Sequence, residues 1–213
     1  MSSRSDTILN IPIRFFHETL GLTPNQISAV GFVIGIVAAA VVAAGHVLDG
    51  LLLMALSQIV DGIDGGVART YNLQSPLGRK LEVVFDRTNE FAMFAALAFT
   101  GEISWTIAWL AAAAILLVTI LEPLSGFDPG FKRFMLYFGY LAGYFFNVRG
   151  FQIALNVVFF ANLAAFALGT IMVDYRFQRE IDNEAILRRE REIALGIPQP
   201  PDDPPSFLSR LFS

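Results

Sequence analysis

The sequence predicts an all-α membrane protein with six transmembrane helices, an N-terminal interfacial helix and a cytoplasmic C-terminal tail. Three observations predict it. Of 213 residues 54% are hydrophobic, above the roughly 45–50% usual in soluble domains. Stretches such as 27–47 and 103–121 carry no charged residue, and each approaches the roughly 20 apolar residues that span a bilayer as a helix. The charged residues amount to only 16% and are clustered rather than spread. Three parts are expected: an interfacial segment over 1–22, a six-helix domain over 23–175 and a polar, proline-rich tail over 176–213.

The first segment, ILNIPIRFFHETLGL over 8–22, mixes large apolar residues with Arg14, His17 and Glu18, as a helix lying on a membrane surface does. The chain start lacks the continuous apolar run of a secretory signal. Thr23-Pro24-Asn25 opens the first span, with proline in the first turn, where its missing N–H costs little. Spans are expected at 25–47, 50–70, 79–100, 104–126, 132–147 and 151–174, with short connections that make neighbours antiparallel. The pairs Gly31/Gly35 and Gly139/Gly143 have the small-xxx-small spacing that lets helix backbones approach, and are read as packing. Glu122-Pro123 reads as a kink near the end of the fourth span, and residues 174–194 as a polar helical extension. Beyond Gly196, PQPPDDPPS cannot form a regular helix, and FLSRLFS is a short amphipathic end.

Lys and Arg set the orientation. Arg4, Arg14, Arg69, Arg79, Lys80, Lys132, Arg133 and the tail arginines fall on one side, and Arg149 on the other. The termini and the turns near 70–79 and 127–132 are therefore expected to face the cytoplasm. The absence of cysteine excludes disulfides and thiolate metal sites. The net charge of −4 says little, because the acids concentrate in the middle of the chain and in the tail. No nucleic-acid partner is expected.

Spans two and three hold what a structural helix pair would avoid: Asp61, Asp64, Arg69, Glu82, Asp86 and Arg87. Ionisable groups in a span are costly and mark a polar cavity by default. Asp61 and Asp64 share one helical face, as do Glu82 and Asp86 on the next helix. The short turn between the helices sets the two faces opposite each other. Four converging carboxylates cannot all stay ionised without counter-charge, and hard divalent cations such as Mg²⁺ or Mn²⁺ supply it. Gly62, Gly65, Gly66 and Ala68 leave one helix face nearly bare, open to a flat ligand such as a nucleotide.

The run Asp61-Gly62-Ile63-Asp64-Gly65-Gly66-Val67-Ala68-Arg69, followed by Gly78, Glu82 and Asp86, resembles the CDP-alcohol phosphotransferase signature D-x2-D-G-x2-A-R-x8-G-x3-D-x3-D. Seven of the eight fixed positions match, and Glu82 stands where the family has Asp. The resemblance implies transfer of a substituted phosphate from a CDP-alcohol to an acceptor hydroxyl, with release of CMP. It implies that Asp61, Asp64, Glu82 and Asp86 hold metal, Mg²⁺ or Mn²⁺ and two ions in number, and that Asp86 is a ligand or the base. By the same likeness Gly65, Ala68, Arg69 and Gly78 line the nucleotide and diphosphate site. The donor would be CDP-diacylglycerol or a soluble CDP-alcohol such as CDP-inositol; the short run Val60-Asp61-Gly62 resembles the di-myo-inositol phosphate phosphate synthases. The acceptor would be an alcohol or a phosphorylated alcohol, with membrane lipid as a partner, a homodimer as a possible assembly, and a prokaryotic inner membrane as the location.

Lys132 and Arg133, at the start of the fifth span, are read either as acceptor-binding cations or as ordinary positive-inside anchors. Arg87 is read as a structural ion pair, and Glu90 as one more turn of the acidic face. His17 and His46 are isolated and are not read as ligands. A non-catalytic scaffold or lipid-binding protein is the alternative function, and Glu82 is the feature that supports it. An ion-coupled carrier would also use intramembrane acids but leaves the Gly, Ala and Arg positions unexplained.

Overall fold

The computed structural model describes residues 12–195. The tail segments PQPPDDPPS and FLSRLFS, Arg4 and most of the first half of the expected interfacial helix lie outside the described residues. Among them there are seven helices: a short π-wound α1 (Phe15–Thr19), α2 (Pro24–Ala43), α3 (Val47–Thr70), α4 (Pro76–Phe99), α5 (Trp105–Ser125), α6 (Lys132–Phe146) and α7 (Gly150–Ala194).

The helix starts follow the local chemistry. Pro24 and Pro76 occupy first turns, where a missing N–H costs nothing. The Gln26 side chain accepts from the Thr23 N–H at 2.9 Å, and Ser75 Oγ accepts from the Gly78 N–H at 2.9 Å. Each satisfies a donor that a helix start leaves orphaned. Ser104 caps α5 in the same way, and Gly126, at φ 69°, ends it one turn after Pro123.

The expected spans correspond to α2 through α7, but their character differs. Four helices, α2, α3, α5 and α7, are long and apolar enough to cross a membrane. In α4 the charges of Arg79, Lys80, Glu82, Asp86, Arg87 and Glu90 crowd its first four turns. With 15 residues, α6 reaches only about 22 Å at 1.5 Å per residue, short of a bilayer core of roughly 30 Å. The expected boundary at 174 is no break: α7 runs through it for 45 residues, carrying the polar extension as a direct continuation.

One group of helices is α2, α3 and α4; α7 packs against α5 and α6, and α4 meets α5 between the groups. The main core lies in the half of the bundle that contains Ala38 and Val42, Leu51 and Met54, Met93 and Leu97, Ile115, Leu136 and Leu155. A smaller cluster of Ile13, Ile27, Val60, Ile63 and Val67 underlies the other half, where α2, α4 and α6 begin and α3 and α5 end. Ile13 lies against Gly66, so the N-terminal segment is packed onto α3 rather than only resting on a surface.

Glycine sets two close approaches. A Cβ on Gly35 would lie 2.3 Å from the Asn89 side chain of α4. One on Gly150 would lie 1.9 Å from the Gly139 carbonyl oxygen, so the α6–α7 crossing is backbone on backbone. The outer surface is rich in large apolar side chains, with Val33, Leu52, Trp109, Ile120, Phe138, Phe160 and Ile171 all exposed. A lipid-facing surface accounts for such a coat better than water does.

Candidate active site

The carboxylates stand at the end of the bundle away from the main core. Asp61 and Asp64 lie on the last turns of α3, and Glu82 and Asp86 on the first turns of α4. Arg133 links the two helices, contacting Asp86 on α4 and approaching Asp61 on α3 at 3.7 Å.

Two clefts open beside these acids. The larger, about 660 Å³, is lined by Asn25, Ser28, Asp64, Gly65, Ala68, Arg69, Gly78, Arg79, Lys80 and Glu82 among others. The smaller, about 360 Å³, is lined by Gln58, Asp61, Asp86, Arg87, Glu90, Asp128, Gly130, Lys132, Arg133 and Phe134. The four acids divide between them: Asp64 and Glu82 face the first, Asp61 and Asp86 the second.

The larger cleft has the features of an anion site. The N-terminal turns of α2 and α4 border it through Pro24 and Asn25 and through Ser75 and Pro76. Helix N-termini favour negative charge, and Arg69, Arg79 and Lys80 add to that field. Gly65 is bare enough for the Arg69 guanidinium to lie over it; an added Cβ would stand 3.2 Å from Nη1. Gly78 lets the start of α4 come close to Asn25, where a Cβ would stand 3.0 Å from Oδ1. The expected bare face is only partly free, because Ile13 covers Gly66, while Gly62 faces open space. Ser28 Oγ donates to Asp64 Oδ2 and orients that buried carboxylate.

The smaller cleft is a network of ion pairs. Arg133 contacts Asp86, approaches Asp61 at 3.7 Å, and lies 3.5 Å from Glu90 Oε1 through Nε. Arg87 joins Glu90 at 2.6 Å and Asp128 at 3.2 Å. Lys132 Nζ meets Asp128 at 2.7 Å and is only 2% exposed. Arg87 is thus the structural ion pair expected of it, and Glu90 does extend the acidic face. Lys132 and Arg133 both reach the cleft, one bound to a loop carboxylate and the other inserted among the helix acids. His17 instead hydrogen-bonds through Nδ1 to the Leu22 carbonyl at 3.0 Å and packs on Tyr71.

Among the described residues no three acid or histidine side chains gather closely enough to hold one ion. The Arg133 guanidinium already supplies part of the counter-charge among Asp61, Asp86 and Glu90. The donor set is nevertheless of one kind: carboxylate oxygens from the end of α3 and the start of α4. That chemistry fits a hard divalent cation.

Sequence reasoning missed Asp128 and Ser28. Asp128 sits in the 126–131 link, four residues before Lys132, a spacing that can join an acid to a base even where only one of them is helical. Ser28 stands one turn into α2, and nothing in its own segment points to a carboxylate 36 residues away.

A family model described as CDP-alcohol phosphatidyltransferase matches residues 21–126, which include all four carboxylates. The bifunctional IPC transferase and DIPP synthase of Aquifex aeolicus is 37% identical over 92 residues, covering 43% of this chain and 21% of that protein. The archaetidylinositol phosphate synthase of Pyrococcus horikoshii is 30% identical over 93 residues, covering 43% of this chain and 49% of that one. The chain thus spans about a fifth and about half of the lengths of these curated relatives. The phosphatidylinositol phosphate synthase of Mycobacterium tuberculosis, solved in complex with manganese and citrate, shares the fold at a TM-score of 0.66 and 15% identity, over 76% of this chain and 87% of that one. The same protein with CDP-DAG bound gives a TM-score of 0.65, over 76% of this chain and 92% of that one. With its motif, its helices and this match in agreement, the chain belongs to the CDP-alcohol phosphatidyltransferase family.

Proposed function

We propose that this protein is a metal-dependent CDP-alcohol phosphotransferase that moves a substituted phosphate from a CDP-alcohol to an acceptor hydroxyl and releases CMP. The observation that carries the reading is the carboxylate wall with a cleft on each side. A transferase must hold two substrates against one reacting centre. The cleft with the two helix N-termini, Gly65, Ala68, Arg69 and Gly78 takes the nucleotide and diphosphate. The cleft with Lys132 and Arg133 takes the acceptor.

The acceptor hydroxyl oxygen forms a bond to the phosphorus that carries the alcohol, the bond from that phosphorus to the CMP oxygen breaks, and the hydroxyl proton goes to a carboxylate. Asp86 is the base in this reading, because it lines the acceptor-side cleft on α4. Asp61, Asp64, Glu82 and Asp86 would hold Mg²⁺ or Mn²⁺, two ions in number, which when bound neutralise charge on the diphosphate and on departing CMP. Arg69 holds the diphosphate through its planar fork. Arg133 keeps the acids on the acceptor side from repelling one another.

The donor is CDP-diacylglycerol or a soluble CDP-alcohol such as CDP-inositol. The likeness to the DIPP synthase of Aquifex aeolicus supports the second choice, and the CDP-DAG bound to the mycobacterial phosphatidylinositol phosphate synthase the first. The chain crosses a prokaryotic inner membrane six times in this proposal, with the site facing the cytoplasm. Arg69, Arg79, Lys80, Lys132 and Arg133 at the site end support that orientation. A Mn²⁺-soaked crystal tests the site: anomalous density within ligand distance of at least three of the four carboxylates is expected. Density elsewhere, or none at saturating metal, would sink the assignment.

A further inference from the structure

Each nitrogen of the Arg133 guanidinium meets a different carboxylate. Nη2 contacts Asp86, Nη1 approaches Asp61 at 3.7 Å, and Nε faces Glu90 at 3.5 Å. Asp61 is on α3, Asp86 and Glu90 are on α4, and Arg133 stands in the first turn of α6, so one side chain ties three helices together. The other two cations of the smaller cleft stand elsewhere. Arg87 is on Glu90 at 2.6 Å and on Asp128 at 3.2 Å, and Lys132 is on Asp128 at 2.7 Å. Among the described residues, Arg133 is therefore the cation that sits on the two acceptor-side carboxylates assigned to the metal.

One guanidinium satisfies this set poorly. Its single charge is shared among three carboxylates, two of them at 3.5 Å or more. Its contact with Asp86 is a charge pair without an aligned hydrogen bond, and Arg87 Nε in the same cleft is buried with no partner among the described residues. A divalent ion brings twice the charge and direct coordination by carboxylate oxygens, so Asp61 and Asp86 exchange partners in its favour. Glu90 stays behind, because it is only 4% exposed and is held by Arg87. Arg133 is then left on its Nε contact with both Nη atoms free of carboxylate. An unpaired charge in a largely closed cleft is costly, and a phosphate group matches the guanidinium fork. Four carboxylates and three cations line the cleft, so a divalent ion turns its formal charge from −1 to +1.

We propose that Arg133 is a built-in counter-ion that keeps the metal's place on Asp61 and Asp86. On metal binding it stays tethered to Glu90 and presents its guanidinium to a phosphate monoester in the smaller cleft, so that metal and phosphate bind cooperatively. This rests on the reading of the acids as a metal site. The coupling is reciprocal: whatever the metal adds to phosphate affinity, phosphate adds to metal affinity.

The test measures Mn²⁺ affinity of the full-length protein in detergent, from the electron paramagnetic resonance signal of the free ion. Arg133→Gln should bind Mn²⁺ about tenfold more tightly than wild type, because the competing cation is gone. An arginine with a merely structural role would, on removal, loosen the site and weaken Mn²⁺. Saturating glycerol 3-phosphate should tighten Mn²⁺ about tenfold in wild type and leave Arg133→Gln unchanged, and glycerol should tighten neither. Equal Mn²⁺ affinity in the two proteins, an equal gain in both, or an equal gain with glycerol overturns the proposal. Should Arg133→Gln not fold, a Mn²⁺-soaked crystal of wild type decides. Arg133 parted from Asp86 with Nε still on Glu90 is expected, and Arg133 still against Asp86 beside bound Mn²⁺ refutes the exchange. If neither protein binds Mn²⁺, the metal site fails and this proposal with it. If both bind it equally, the metal site stands and this proposal alone fails.

Discussion

Glu82 is the one signature position that departs from the family, and it borders the larger cleft on an exposed face of α4. An active enzyme has adjusted its helices to the longer side chain, so Glu82→Asp should withdraw the carboxylate by one methylene and lower CMP release. A non-catalytic relative would give the opposite sign: silent wild type and activity gained on restoring Asp. Asp86→Asn removes the proposed proton acceptor and should cost about 10²- to 10⁴-fold in kcat, with the fold intact by circular dichroism. Asp128 carries a pH prediction. Its folded pKa is depressed, so the stability it contributes is fully present above the unfolded value of about 3.9 and is lost as pH falls below that. Melting temperature in detergent should hold steady from pH 7 to about 5 on this account and drop in acid, and Asp128→Asn should flatten that drop.

The motif residues were legible because carboxylates, small residues and an arginine repeat at helical spacing inside an apolar run, where each is expensive. Their division between two clefts was not legible. It depends on which way α3 faces α2 and α6, which is a matter of packing rather than spacing. The partner of Lys132 escaped for a related reason: Asp128 lies in a link, outside any periodic pattern.

At the scale of elements, the order and approximate bounds of α2 through α7 could be read from apolar runs and from proline, serine and glycine at their ends. The membrane character of α4 and α6 could not, since one is too charged at its start and the other too short. Both depend on neighbours. The α6–α7 crossing shows how, because Gly150 lets the Gly139 carbonyl pass where a side chain would stand. Gly150→Ala should force the helices apart and destabilise the protein by about 1–3 kcal/mol, measured by thermal unfolding. Because α6 begins at Lys132 and Arg133, the same change should disturb the acceptor side more than the donor side, raising the acceptor KM more than the CDP-alcohol KM.

For the whole molecule, both clefts open at one end of the bundle, and the main core stabilises the other. In the proposed function this arrangement puts the reaction at a membrane surface, where a lipid-linked substrate and a water-borne one can meet. The chain has no native cysteine, so single cysteines report topology cleanly. One at Gln74, in the α3–α4 turn, should react only with cytoplasmic reagent, and one at Glu102, between α4 and α5, only with external reagent.

In the proposed function four carboxylates between two clefts, with a bound divalent ion, transfer a substituted phosphate from a CDP-alcohol. The most direct measurement is CMP release by the purified protein against a panel of CDP-alcohols, with Mg²⁺, with Mn²⁺ and with chelator. Release should require both metal and acceptor and disappear in Asp61→Asn. No release from any donor at saturating metal, or release indifferent to chelator, would contradict it.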